Sequence, residues 1–256
     1  GANVNVDSVS VSGIRATNSA LWGCQNGVGI QIGREYWPNQ SFSFLVENFV
    51  GTGSVKNSTV SDYQKNGITI DGPGSHADVR GNTVTGDGRV AYIAQNGIQV
   101  SRGASGQIRD NNVSGDAYTG VGCASSGGIL VYGGGGDPLV TGAQIMRNTI
   151  SNADVGIYVN NFNDDASGAP ATQTNVKADG NTISTSALTN VGNCGPGFPY
   201  AGYSVGINDI GNNDKVINNT ITGYAPESTT PGGPYVQAID TSSFPTIAAK
   251  VHANRV

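Results

Sequence analysis

The sequence predicts an all-β fold: a single-stranded, right-handed parallel β-helix (β-solenoid) of about seven to eight turns with loop insertions. Three observations predict it. Two short phrases alternate along all 256 residues. The second recurs at steps near about 30 residues, the signature of a solenoid. Neither phrase has the 3.6-residue period of an amphipathic helix, which argues against leucine-rich, ankyrin and TPR solenoids.

The first phrase sets two apolar residues around four others, usually with Asn two before the end. Its copies are "VDSVSV" (6–11), "VKNSTV" (55–60), "VRGNTV" (79–84), "IRDNNV" (108–113), "IMRNTI" (145–150), "VKADGNTI" (176–183), "VINNTI" (216–221) and "VHANRV" (251–256). The second centres on Gly or Ala and then Ile: "VGIQI" (28–32), "NGITI" (66–70), "NGIQV" (96–100), "GGILV" (127–131), "VGIYV" (155–159), "VGIND" (205–209) and "VQAID" (236–240). Each unit therefore reads as two strands that lie parallel to their counterparts about 4.8 Å away, with Val and Ile inward. The Asn of "NTV" and "NTI" is expected at a corner, where Asn tolerates left-handed backbone. The Asn-Gly of "KNGITIDG" (65–72) is read as another corner, not as a hairpin turn. Right-handedness follows from the general preference of parallel crossovers.

The rhythm makes residues 1–256 one domain. The chain starts and stops inside copies of the first phrase, so the expectation is that one or both end caps are lacking. Open strand edges template association, which gives end-to-end self-association as a candidate partner mode. Insertions swell the turns at 34–53, 160–174, 184–204 and 222–235. Solenoid loops are where function is usually carried.

Composition narrows the partners. The chain has 39 Gly, only 12% charged residues and a net charge of −5. An acidic balance disfavours nucleic acid, which needs a basic surface. No stretch approaches the roughly 18 apolar residues of a membrane helix, so no membrane partner is expected. No signal peptide is visible, as in a mature or trimmed chain. The spacing of Cys24, Cys123 and Cys194 fits no zinc or redox pattern. One disulfide plus one thiol and three thiols are both open. Cys24 and Cys123 share a column about 14 Å apart, beyond the roughly 7 Å reach of a disulfide. Cys194 lies in a long loop, from which it can reach Cys123.

Alternation along the second phrase defines an outward face. One outward column is Gln31, Thr69, Gln99, Leu130 and Tyr158. The next is Gly33, Asp71, Ser101, Tyr132 and Asn160, with Arg34, Glu35 and Arg102 just beyond and Tyr36 and Trp37 in the adjoining loop. Aromatic rims with amides and carboxylates suit sugars, whose apolar faces stack on rings while hydroxyls bond polar groups. Glu35, Trp37, Gln99, Tyr158 and Asn160 are the candidate substrate-binding residues. Lyases and epimerases of acidic sugars need a carboxylate neutraliser, a base and an acid. Asp71, Arg102, His76 and Tyr132 are the candidate catalytic residues. A second column, with Asp62, Tyr63, Asp87, Arg89, Tyr92, Asp116, Tyr118 and Asp154, reads first as turn carboxylates and tyrosine props. No metal ligand set is read and no cofactor is assigned. Ca²⁺ is the one ion that a stacked carboxylate column would suit.

The repeat rhythm resembles the right-handed parallel β-helix of the pectate-lyase-like superfamily over nearly the whole chain. "YQKNGITIDGPG" and "IAQNGIQVSRGA" look like phrases of uncharacterised bacterial β-helix repeat proteins, a group that implies no mechanism. The catalytic signatures of the better-known members are missing. There is no "NTD…DD…GHG…RIK" set, since the "DD" of Asp164 and Asp165 has no GHG. The "WIDH", "RxPxxR" and "DPH" stretches are absent too. "GGGGDPLV" (133–140) is only superficially similar to a calcium-binding nonapeptide. The resemblance and the polar-aromatic face together imply a secreted, extracellular carbohydrate-active protein that acts on or binds a polysaccharide. Its expected chemistry is lyase- or epimerase-like, or hydrolytic through an Asp/Glu pair. A non-catalytic extracellular structural or adhesive β-solenoid is the alternative, and a glycan-binding module lies between them.

Overall fold

A computed structural model describes residues 1–38, 44–162, 172–190, 194, 202–225, 234–241 and 249–256, with backbone alone for 35–38 and 44–47. The chain winds as a parallel β-helix. Each turn contributes one strand to each of three sheets, of eight, seven and seven strands. The first sheet runs from Ala2–Asp7 to Ala249–His252, and the second from Ser10–Val11 to Thr220–Thr222. The third stacks Val28–Gly33, Asn66–Asp71, Asn96–Ser101, Gly127–Gly133, Val155–Asn161, Tyr203–Ile210 and Tyr235–Asp240. Every neighbouring pair within the three sheets is parallel; one antiparallel hairpin, Glu35–Pro38 with Phe44–Glu47, leaves the coil. No helix among the described residues is long and apolar enough to cross a membrane.

The two-strand unit expected from the sequence is in fact three strands. The first phrase divides at its Asn, so that Gly51–Lys56 and Thr59–Ser61 belong to different sheets. That Asn does sit at the corner, but its expected left-handed backbone needs correcting. Asn82, Asn111, Asn148, Asn181 and Asn219 are buried, and the left-handed residue is the one before each: Gly81, Asp110, Arg147, Gly180 and Asn218. That turn frees the Asn side chain to point along the coil axis. Asn148 Nδ2 donates to Ile108 O at 2.9 Å and to Asn181 Oδ1 at 3.0 Å, and its Oδ1 accepts from Asn111 Nδ2 at 3.0 Å. The same links run from Asn82 to Asn254. Each amide satisfies backbone groups that the turn leaves unpaired, which makes burial affordable.

The core is a set of ladders. Val55, Val79, Ile108 and Ile145 stack in the first sheet, Val60, Val84, Val113 and Ile150 in the second, Ile68, Ile98, Ile129 and Ile157 in the third, all fully buried. Asn66 and Asn96 lie in strands, so the Asn-Gly pairs are not corners. Their glycines answer a packing demand. A Cβ on Gly67 would stand 2.4 Å from Val84 Cγ1 and 2.6 Å from Gly97 O, so only glycine lets the third sheet close on the second. Cys123 and Cys194 form a disulfide, with Cα atoms 4.2 Å apart, and Cys24 is free.

Candidate functional site

The register of the third sheet aligns the outward residues as the alternation predicts. Gln31, Thr69, Gln99, Leu130 and Tyr158 stand side by side, as do Asp71, Ser101, Tyr132 and Asn160. They face away from the core, yet Thr69 is only 3% exposed, Gln99 8% and Asp71 1%, while Gln31, Leu130, Tyr132, Tyr158 and Asn160 are half-buried. The sequence could not show this, because the cover comes from neighbours on other turns. Ser101 Oγ donates to Asp71 Oδ1 at 2.7 Å, and Arg102 Nη1 lies 3.3 Å from the same atom. Arg102 Nε also donates to Asp137 Oδ2 at 3.2 Å, and its guanidinium sits 5.3 Å from the Tyr132 ring centroid. Arg34 lies 3.6 Å from Asp137 on the other side. Asp71 is thus a buried anchor that fixes Arg102 over Tyr132.

Above this anchor runs a half-open groove of about 440 Å³. Its walls combine amides and hydroxyls (Gln25, Gln31, Asn66, Thr69, Asn96 and Gln99) with Arg102, Leu130, Tyr132 and Lys65. The amides are wired to one another before any ligand arrives. Asn96 Nδ2 donates to Asn66 Oδ1 at 3.0 Å, Asn66 Nδ2 to Gln99 Oε1 at 3.0 Å, and Gln99 Nε2 to Ser101 Oγ at 2.9 Å. Lys65 donates to Ala94 O, and burial brings its ammonium down to about 8, helped by the positive charge of Arg102. A lysine near that value supplies a free amine at mildly alkaline pH.

Of the candidate catalytic residues, Asp71, Arg102 and Tyr132 meet at this groove. His76 does not. It opens a strand of the first sheet, is exposed, and pairs its Nδ1 with Ser105 Oγ at 2.9 Å. Of the binding candidates, Gln99 lines the groove. Tyr158 borders a different cavity, one turn beyond Leu130, and Asn160 stacks beside Tyr132. Glu35 and Trp37 lie in the hairpin, with side chains outside the described residues; Asp164 and Asp165 lie outside them altogether. Sequence reasoning missed Lys65, Asn66, Asn96 and Asp137. The two asparagines sit just before a glycine whose inward position breaks strict alternation. Asp137 follows a glycine run that gave no register.

The chain matches no family model, and no curated protein or solved structure is significantly similar to it.

The second column is structural. Arg15 pairs with both Asp62 and Asp87, and Tyr92 donates to Asp87. The buried Tyr63 hydroxyl donates to Asp116 Oδ1 at 2.7 Å, and desolvation raises both groups well above their usual values. Asp154 accepts from the Tyr118 and Ser126 amides, Thr189 and Asn190, while burial still pushes its carboxyl up to about 6. Among the described residues no three His, Cys, Asp or Glu side chains cluster closely enough to hold a metal ion.

Proposed function

We propose that the third sheet carries a polysaccharide-binding groove and that the protein is an extracellular carbohydrate-binding β-helix. The observation that carries this is the prewired amide lining of the groove from Gln31 to Gln99, bordered by Leu130 and Tyr132. Sugar hydroxyls both donate and accept, and carboxamides answer both roles. Leu130 and Tyr132 offer apolar surface for the C–H face of a ring. The volume falls within the range of small-ligand sites. The Cys123–Cys194 disulfide fits an oxidising, extracellular compartment. Membership of the pectate-lyase-like superfamily rests on the shared coil architecture alone, which is a fold-level analogy.

A second reading, a lyase or epimerase of acidic sugars, is favoured by Lys65. Arg102 would neutralise the uronate carboxylate, and neutral Lys65 would take the C5 proton. Tyr132 would protonate the leaving oxygen in elimination, or the opposite face of the sugar in epimerisation.

Titration calorimetry against a panel of soluble polysaccharides tests the binding reading, with Gln99→Ala expected to weaken the best ligand about tenfold or more. Absorbance at about 235 nm over a uronate panel tests elimination, and Lys65→Met should abolish it. No binding anywhere on the panel overturns both readings in favour of a structural solenoid.

A further inference from the structure

The outward column does not stop at the groove. Beyond Leu130 it continues through Tyr158, Asn208 and Asp240 on the next three turns. These three border a second cavity of about 530 Å³, together with Tyr203 and Tyr235. Tyr203 and Tyr235 stack in parallel, with centroids 5.1 Å apart and ring planes 1° from parallel. Both hydroxyls donate to Asp240 Oδ2, at 3.1 and 3.0 Å. Asn208 Nδ2 donates to the Tyr203 hydroxyl at 2.7 Å and to Asp240 Oδ2 at 3.2 Å.

This wiring is one-sided. Asn208 is 1% exposed and spends its amide hydrogens on the tyrosine–aspartate cluster, while its Oδ1 has no hydrogen-bond partner. A buried acceptor left unpaired costs about 1–3 kcal/mol and calls for an explanation. The cavity itself offers a ligand aromatic surface and the negative charge of Asp240. The described lining holds no Lys, Arg or His, so a uronate carboxylate would meet Asp240 without a counter-charge. A sugar that brings hydroxyl or ammonium donors, and a C–H face for the rings, fits both features.

We propose that this cavity is a second carbohydrate subsite, selective for a neutral or amino-bearing pyranose and against uronates. The inference rests on the carbohydrate reading of this face but differs from it in charge preference. The groove holds two cations, Lys65 and Arg102, beside Asp71, whereas the described lining of the tyrosine cavity holds Asp240 and no cation.

Disaccharides test it, because Gln99 and Asp240 lie four turns, or about 19 Å, apart, too far for one disaccharide to join. Glucosamine, glucose and galacturonate disaccharides would be titrated into the intact protein and followed by saturation-transfer NMR. The glucosamine or glucose disaccharide is expected to bind, and to bind at least tenfold more weakly in Tyr235→Ala and Asn208→Ala. Tyr235→Phe, which keeps the ring, should retain most of the affinity and guards against a folding defect in the alanine variant. Three results overturn the proposal: no disaccharide binding, affinity indifferent to Tyr235 and Asn208, or galacturonate bound as well through the same residues. Polysaccharide binding indifferent to Gln99 would sink the groove reading instead, and leave the Tyr235 result to decide the subsite.

Discussion

Arg102 Nη1 lies 3.3 Å from Asp71 Oδ1, and that carboxylate is almost wholly buried. Arg102 itself is partly exposed and holds a left-handed backbone, φ 52°. The sequence placed Asp71 one turn before Ser101 and Arg102. The structure adds that Asp71 is buried at the groove and anchors Arg102 there. Breaking a buried pair by removing one partner costs about 3–5 kcal/mol, and partial exposure of Arg102 brings the expectation to roughly 2–3 kcal/mol. Chemical denaturation of Arg102→Ala should show that loss, and the double variant with Asp71→Ala should lose less than the sum of the two. Strict additivity would mean that the two side chains are not coupled.

The asparagine ladder should be steeply position-dependent. Asn148→Ala strands the Ile108 carbonyl and the amide of Asn111 inside the coil, at about 1–3 kcal/mol for each unsatisfied group. Asn254→Ala, at the half-buried end of the ladder, should cost less than half as much. Equal losses in urea melts would show that the ladder does not hold the turn.

Gly67→Ala should destabilise by about 1–3 kcal/mol through overpacking against Val84 and Gly97 O. Adding Val84→Ala removes the side-chain clash but not the backbone one. Incomplete rescue in thermal melts is therefore expected, and full rescue would show that the backbone yields.

Much of this was legible in the sequence, for a physical reason. Parallel stacking puts like beside like, so the spacing of Ile68, Ile98 and Ile129 yields the register directly, and with it the columns through Gln99 and Asp71. Loop and corner detail was not legible. The left-handed residue precedes the ladder asparagine instead of being it, because side-chain hydrogen bonds between turns leave no period of their own. His76 is near Asp71 in the chain but turns onto another sheet. Asp137 reaches Arg102 only through a glycine turn whose geometry no pattern encodes.

Stability should fall as the solution is made less acidic. Asp154, raised to about 6, binds its proton more tightly folded than unfolded, so its contribution is fully present below about 4 and is lost as pH rises through about 6. Asp116 and the buried Asp209–Asp214 pair are raised too and add in the same direction. Melting temperatures from pH 4 to pH 7 should decline, and Asp154→Asn, whose carbonyl still accepts from the Tyr118 and Ser126 amides, should flatten the slope. A slope unchanged by that substitution would place the titration elsewhere.

The most direct test of the groove is a crystal structure with the tightest-binding oligosaccharide. The account predicts sugar hydroxyls within about 2.7–3.2 Å of the Gln31 and Gln99 amides, with a ring against Leu130 or Tyr132. A sugar bound only on the loops, or on the first or second sheet, would contradict it.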